Sequence, residues 1–87
     1  MKIYLGTDAL PPDDWIAIRK TEEFISLFQR EKSNITHIKL DYVLGGIKTG
    51  YDVYKYVKKE KPEIDVTFVG YVPKHIGFKI KVEVKDV

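Results

Sequence analysis

Four short stretches hold the side chains that could do chemistry. Thr7 and Asp8 follow the first apolar run. Asp41 and Tyr42 with the glycine pair Gly45 and Gly46 fall in residues 38–53 (IKLDYVLGGIKTGYDV). Tyr71 follows Gly70, and His75 lies a few residues on. A strand ending in an aspartate and running into a glycine loop is one way to build the floor of a phosphate or metal site. The carboxylate offers oxygens to a hard cation, and the exposed backbone amides of the loop offer donors to an anion. Each feature also has a plainer explanation. No P-loop pattern surrounds Gly45 and Gly46, so a tight turn accounts for them. Asp41 reads as a strand-end carboxylate that caps the adjacent loop. His75 has no nucleophile or carboxylate partner near it in sequence and reads as a surface residue, while His37 falls within a strand, so neither belongs to a triad.

Aromatic residues gather around the same stretches. Tyr54 shares a helical face with Val53 and Val57 and belongs to the core, whereas Tyr42 and Tyr71 follow strand ends, where large side chains present contact area at low entropic cost. Lys55, Lys58, Lys59 and Lys61 form a run that reads as a solvated helix face.

These residues need elements to hold them. Residues 2–5 (KIYL) read as a strand stopped by Gly6 and the Pro11 and Pro12 pair, and residues 15–19 (WIAIR) as a second, brief strand. Thr21 is placed to cap a helix whose buried face is Phe24, Ile25, Leu27 and Phe28, running to about Lys32. Residues 35–41 (ITHIKLD) read as the next strand. Thr49 caps a second helix, which Pro62 closes, and residues 64–69 (IDVTFV) form a β-branched, central strand. Residues 77–85 (GFKIKVEVK) alternate strictly, which predicts a final strand with one wet face. Strands alternating with helices make an α/β domain, whose ligands bind beyond the carboxyl ends of the strands, here around residues 5–7, 41–45 and 70–71.

Composition narrows the functional classes. The chain has 87 residues, 44% hydrophobic and 13% aromatic, enough for one domain with a core over residues 1–87. It has no cysteine, which excludes disulfides, thiolate metal sites and cysteine nucleophiles. The near balance of 15 basic and 13 acidic residues gives no electrostatic case for nucleic acid. The apolar start is too short for a signal peptide and no window approaches a membrane span, so a cytoplasmic protein that makes no use of a membrane is expected.

Residues 3–28, 38–57 and 66–78 together resemble the cyclic-phosphate processing receiver domains, a branch of the receiver-like fold found in bacteria and their phages. The most specific parts are Pro11, Pro12 and Trp15, the segment from Arg19 to Glu23, Leu40 and Asp41 with Leu44 and Gly45, and Thr49-Gly50-Tyr51-Asp52. The resemblance implies a small receiver-like domain, flavodoxin-like but truncated, with a three-layer or two-layer sheet, about two helices and a C-terminal β-strand. It also implies an acidic pocket that this chain has not kept. The family pattern has two acids after the first strand where this chain has Gly6 and Thr7, and an arginine where it has Ala9. It has a histidine and a second aspartate where Tyr42 and Val43 stand, and a histidine-serine pair where Gly70 and Tyr71 stand. One carboxylate cannot both hold Mg²⁺ and supply a base or nucleophile, and Asp8 is shifted along the loop.

The expectation is therefore a catalytically inactive receiver-like domain with no cofactor. It would act as a protein-interaction module, a small inhibitor or regulator of a bacterial protein, encoded by a bacterium or a bacteriophage. The alternatives are a nucleotide or cyclic-nucleotide receptor using Thr7, Gly45, Gly46 and the rings of Tyr42 or Tyr71, or a residual phosphoesterase using Asp41 and Asp8 with Mg²⁺. The strand over residues 77–85 offers an edge for dimerisation.

Overall fold

The computed structural model describes residues 1–6, 14–44, 49–70, 72–77 and 81–83. Five strands, β1 (Lys2–Leu5), β2 (Ile16–Ile18), β3 (His37–Asp41), β4 (Asp65–Val69) and β5 (Lys81–Glu83), form one sheet. Its strand order is β2-β1-β3-β4-β5 and every neighbouring pair is parallel. This is the flavodoxin-like order of doubly wound sheets, with the topological switch point between β1 and β3. Helix α1 (Thr21–Glu31) connects β2 to β3, α2 (Gly50–Glu60) connects β3 to β4, and one turn of helix, α3 (Lys74–Gly77), precedes β5.

Both long helices press on one face of the sheet. Phe24 and Phe28 of α1 and Val53 and Val57 of α2 bury against Ile3, Leu5, Ile38, Leu40, Val66 and Phe68, alternate residues of β1, β3 and β4. The intervening residues, among them Lys2, Tyr4, His37, Lys39, Asp65 and Thr67, belong to the other face. There Trp15 lies edge-on to His37, with the ammonium groups of Lys2 and Lys39 5.9 and 5.0 Å from its ring centre. Parallel sheets usually carry helices on both faces and read as unbroken hydrophobic runs. Here HIKLD and DVTFV alternate, because the described helices cover one face only. The architecture is two-layered among the described residues.

Several local expectations shift. Thr21 is the first helical residue of α1, not its cap; extended Lys20 holds that place, with no side-chain capping bond, and its carbonyl accepts from the Phe24 N–H at 3.1 Å. Thr49 does cap α2, in a reciprocal capping box with Asp52. Gly77 ends α3 and does not begin a strand, and β5 is described over three residues, so Phe78, Lys79, Ile80 and Val84 lie outside the described residues. The interior strand β4 pairs on both sides, but the middle of the sheet is β3.

The lysine run is not simply a solvated face. The Lys61 ammonium donates to the carbonyls of Lys32 and Ile35 at 2.5 and 2.7 Å, and Lys58 donates to that of Ile64 at 2.6 Å. A helix ends with carbonyls that have no intrahelical partner, and a cation is favoured beside them. Lys61 supplies that cation to the end of α1 and ties it to α2.

Candidate functional site

The carboxyl ends of β1 and β3 flank the switch point, and each brings one side chain to it. Tyr4 lies on the face opposite Ile3 and Leu5, and Asp41 on the face opposite Leu40. The Tyr4 hydroxyl donates to Asp41 Oδ1 at 2.6 Å, with both residues buried, 4% and 5% exposed. A hydroxyl bonded to a carboxylate at this length is a strong, charge-assisted pair that meets the need of the phenol for a partner once buried.

Gly6, the residue after β1, sets the shape of this end. A Cβ at Gly6 would lie 2.5 Å from Tyr4 Cε1 and 2.7 Å from Asp41 Oδ2. The volume that any side chain at position 6 would enter is already filled by the tyrosine ring and the aspartate. The Gly6 N–H donates to the Ile18 carbonyl at 3.1 Å, which fixes its backbone against β2.

The first turn of α2 closes the other side. The Gly50 N–H donates to the Tyr42 carbonyl at 2.6 Å, and a Cβ at Gly50 would run into the Asp41 carbonyl oxygen and the Phe68 ring. Glycine is what lets the helix approach the end of β3 this closely. Asp52 Oδ2 accepts from the Thr49 N–H at 2.8 Å, and Lys55 lies 3.8 Å from Asp52 Oδ1. The Thr49-Gly50-Tyr51-Asp52 segment thus caps and seats a helix.

Of the residues expected at the site, Asp41 and Tyr42 are at the switch point. Tyr42 is half-buried at the end of β3 and packs against the core, and Val43 beside it is 65% exposed. His75 is exposed in α3. Thr7, Asp8, Gly45, Gly46 and Tyr71 lie outside the described residues. Tyr4 was missed. Its signal was an aromatic residue with a polar tip on the strand face away from the apolar side chains. Asp52 was also missed as a capping acid, although the T-x-x-D spacing was visible.

A hard cation needs several oxygens in one place. Among the described residues no group of three or more acidic or histidine side chains could hold one. At the switch point itself, Asp41 Oδ1 is taken by Tyr4 and the space at Gly6 is filled. The described residues therefore do not fit Mg²⁺.

The family model of the cyclic-phosphate processing receiver domain matches residues 1–72, which include β1 to β4 and both long helices. The chain belongs to the cyclic-phosphate processing receiver domain family. Segment 73–87, with α3 and β5, lies beyond the matched part. No curated protein and no solved structure is significantly similar to the chain. Among the described residues of this receiver domain, no helix is long and apolar enough to cross a membrane.

Proposed function

We propose that this receiver domain has no catalytic turnover and works as a protein-interaction module, a small regulator of a bacterial protein. The observation that carries this reading is the closed switch point. Tyr4 binds the one carboxylate found there among the described residues and, with it, fills the space next to Gly6. Phosphate chemistry requires a cation or general base with room for a substrate oxygen beside it. A buried carboxylate held by a phenol has neither on that side. Recognition requires accessible contact surface, and Val43 presents an apolar side chain on the rim of this end.

Two measurements test the proposal. Purified protein, assayed with 2′,3′-cyclic nucleotides and a chromogenic phosphodiester in Mg²⁺ or Mn²⁺, is expected to give no more turnover than an Asp41→Asn variant. Hydrolysis by the wild type that the variant loses would restore the phosphoesterase reading. Affinity capture from bacterial lysate is expected to yield one stoichiometric partner, lost on Val43→Asp, a change at an exposed position that leaves the core intact. A nucleotide co-purifying with the wild type in place of a protein would make this end a ligand receptor instead.

A further inference from the structure

Strand β1 is paired on both sides, and the two sides are held unequally. On one side lies β3, whose Ile38 and Leu40 are buried. On the other lies β2, at the edge of the sheet. β2 has three residues, and of residues 14–20 only Ile18 is buried; Ile16 is 43% exposed and Ala17 is exposed. Asp14, just before the strand, holds φ at 70°, in the left-handed region that L-residues occupy at a cost. On the face away from the long helices, the contacts of this edge are electrostatic and near the surface. Lys2 lies 3.6 Å from Asp14, with side chains 41% and 70% exposed. The Trp15 indole reaches past β1 to His37 of β3, with the ammonium groups of Lys2 and Lys39 beside it. Contacts of these kinds contribute little each when exposed.

The switch point leans on this weakly held edge. The Ile18 carbonyl takes the Gly6 N–H, which fixes the backbone at the position whose missing side chain lets Tyr4 and Asp41 fill the end of the sheet. Tyr4 is in register with Ala17 on one side and with Lys39 on the other. Cross-strand partners share a face, so Ala17 covers the flank of Tyr4 turned away from β3.

We propose that β2 with Trp15 is a latch on the switch point: it detaches from β1 as a unit while β1, β3 and β4 stay paired, and its departure opens Gly6 and the Tyr4–Asp41 pair to solvent. Segments that bury little apolar surface open at a lower free energy than the whole fold. Detaching β2 gives up its ladder to β1, the burial of Ile18 and the surface contacts of Asp14 and Trp15. Ile3 and Leu5 of β1, fully buried under the helices, keep their pairing with β3. The inference concerns regulation of the same end of the sheet as the proposed interaction, and it rests on that end being closed, not on the absence of turnover.

Hydrogen exchange of the whole chain, followed residue by residue by NMR at low urea, tests the latch, because β1 carries its own control. Successive residues of a strand direct their backbone groups to opposite sides. The Gly6 N–H points to β2, so that of Tyr4 does too, and those of Ile3 and Leu5 point to β3. Protection of the Tyr4 and Gly6 amides is expected to be at least about tenfold below that of Ile3 and Leu5, with a weaker dependence on urea. The Tyr4 hydroxyl proton, held by Asp41, should exchange along with them. Trp15→Ala should accelerate these three sites further and leave Ile3 and Leu5 unchanged. Equal protection of the four amides in the wild type overturns the inference, because β2 then opens only with the whole fold. Equal acceleration of all four in Trp15→Ala also overturns it, since Trp15 then supports global stability alone. A hydroxyl proton that does not follow the Tyr4 and Gly6 amides would show that β2 does not control the switch point. None of these outcomes depends on turnover or on capture of a partner, so failure of the latch and failure of the interaction reading are told apart.

Discussion

At Gly6 the closure of the switch point depends on one missing methyl group. Adding it as Gly6→Ala sets a carbon against the Tyr4 ring and Asp41 Oδ2 at distances that real contacts do not reach. The ring cannot yield without loosening its bond to Asp41, so the substitution should cost about 1–3 kcal/mol, as overpacking does elsewhere. Tyr4→Phe makes the converse test. It leaves the ring and removes the hydroxyl, so buried Asp41 loses a donor and about 1–3 kcal/mol of stability goes with it. Urea unfolding of the two variants checks both, and a Gly6→Ala protein as stable as the wild type would show that the end is open after all. Neither residue could be paired from sequence. Asp41 was legible as a strand-end carboxylate, but its partner lies 37 positions away, and only the register of β1 beside β3 brings them together.

Among the elements, the legible ones were those with a periodic apolar pattern. Phe24 and Phe28 announce α1, Val53 and Val57 announce α2, and alternation in HIKLD and DVTFV announces strands. That alternation carried further information, a sheet with one covered face, which becomes readable once the strands are known to be parallel. Illegible were roles carried by long polar side chains. A lysine run reads the same whether its ammonium groups face water or bind carbonyls, and the carbonyls that Lys61 binds lie 26 and 29 positions away in the chain. Lys61→Met keeps the stem and deletes the donor. We expect a loss of about 1–2 kcal/mol, at the lower end for hydrogen bonds to a charged group because the site is only partly buried. The loss should be local as well. The N–H groups of Asn34 and Ile35, which donate to the Glu31 carbonyl at 2.8 and 3.2 Å, should exchange faster with solvent while those of β3 hold. Uniform acceleration across the sheet would show that Lys61 acts on global stability and not on the end of α1.

Among the described residues the two long helices form one layer against the sheet, and this makes the core dependent on few side chains. A third layer would distribute burial over both faces; here the apolar core lies between the sheet and two helices. Phe28 is at its centre, fully buried, stacked on Phe24 at 6.0 Å between ring centres and edge-on to Tyr56 at 5.7 Å. It joins α1 to α2 as well as to the sheet. Phe28→Ala should cost about 3–5 kcal/mol through lost transfer energy and an unfilled cavity. Small domains have about 5–15 kcal/mol in all, and a two-layer domain of 87 residues belongs toward the lower part of that range. The variant is therefore expected to lose most of its stability, with a large fall in melting temperature by circular dichroism and a single transition in the wild type. A second, separate transition in the wild type would show that α1 and α2 do not share one core.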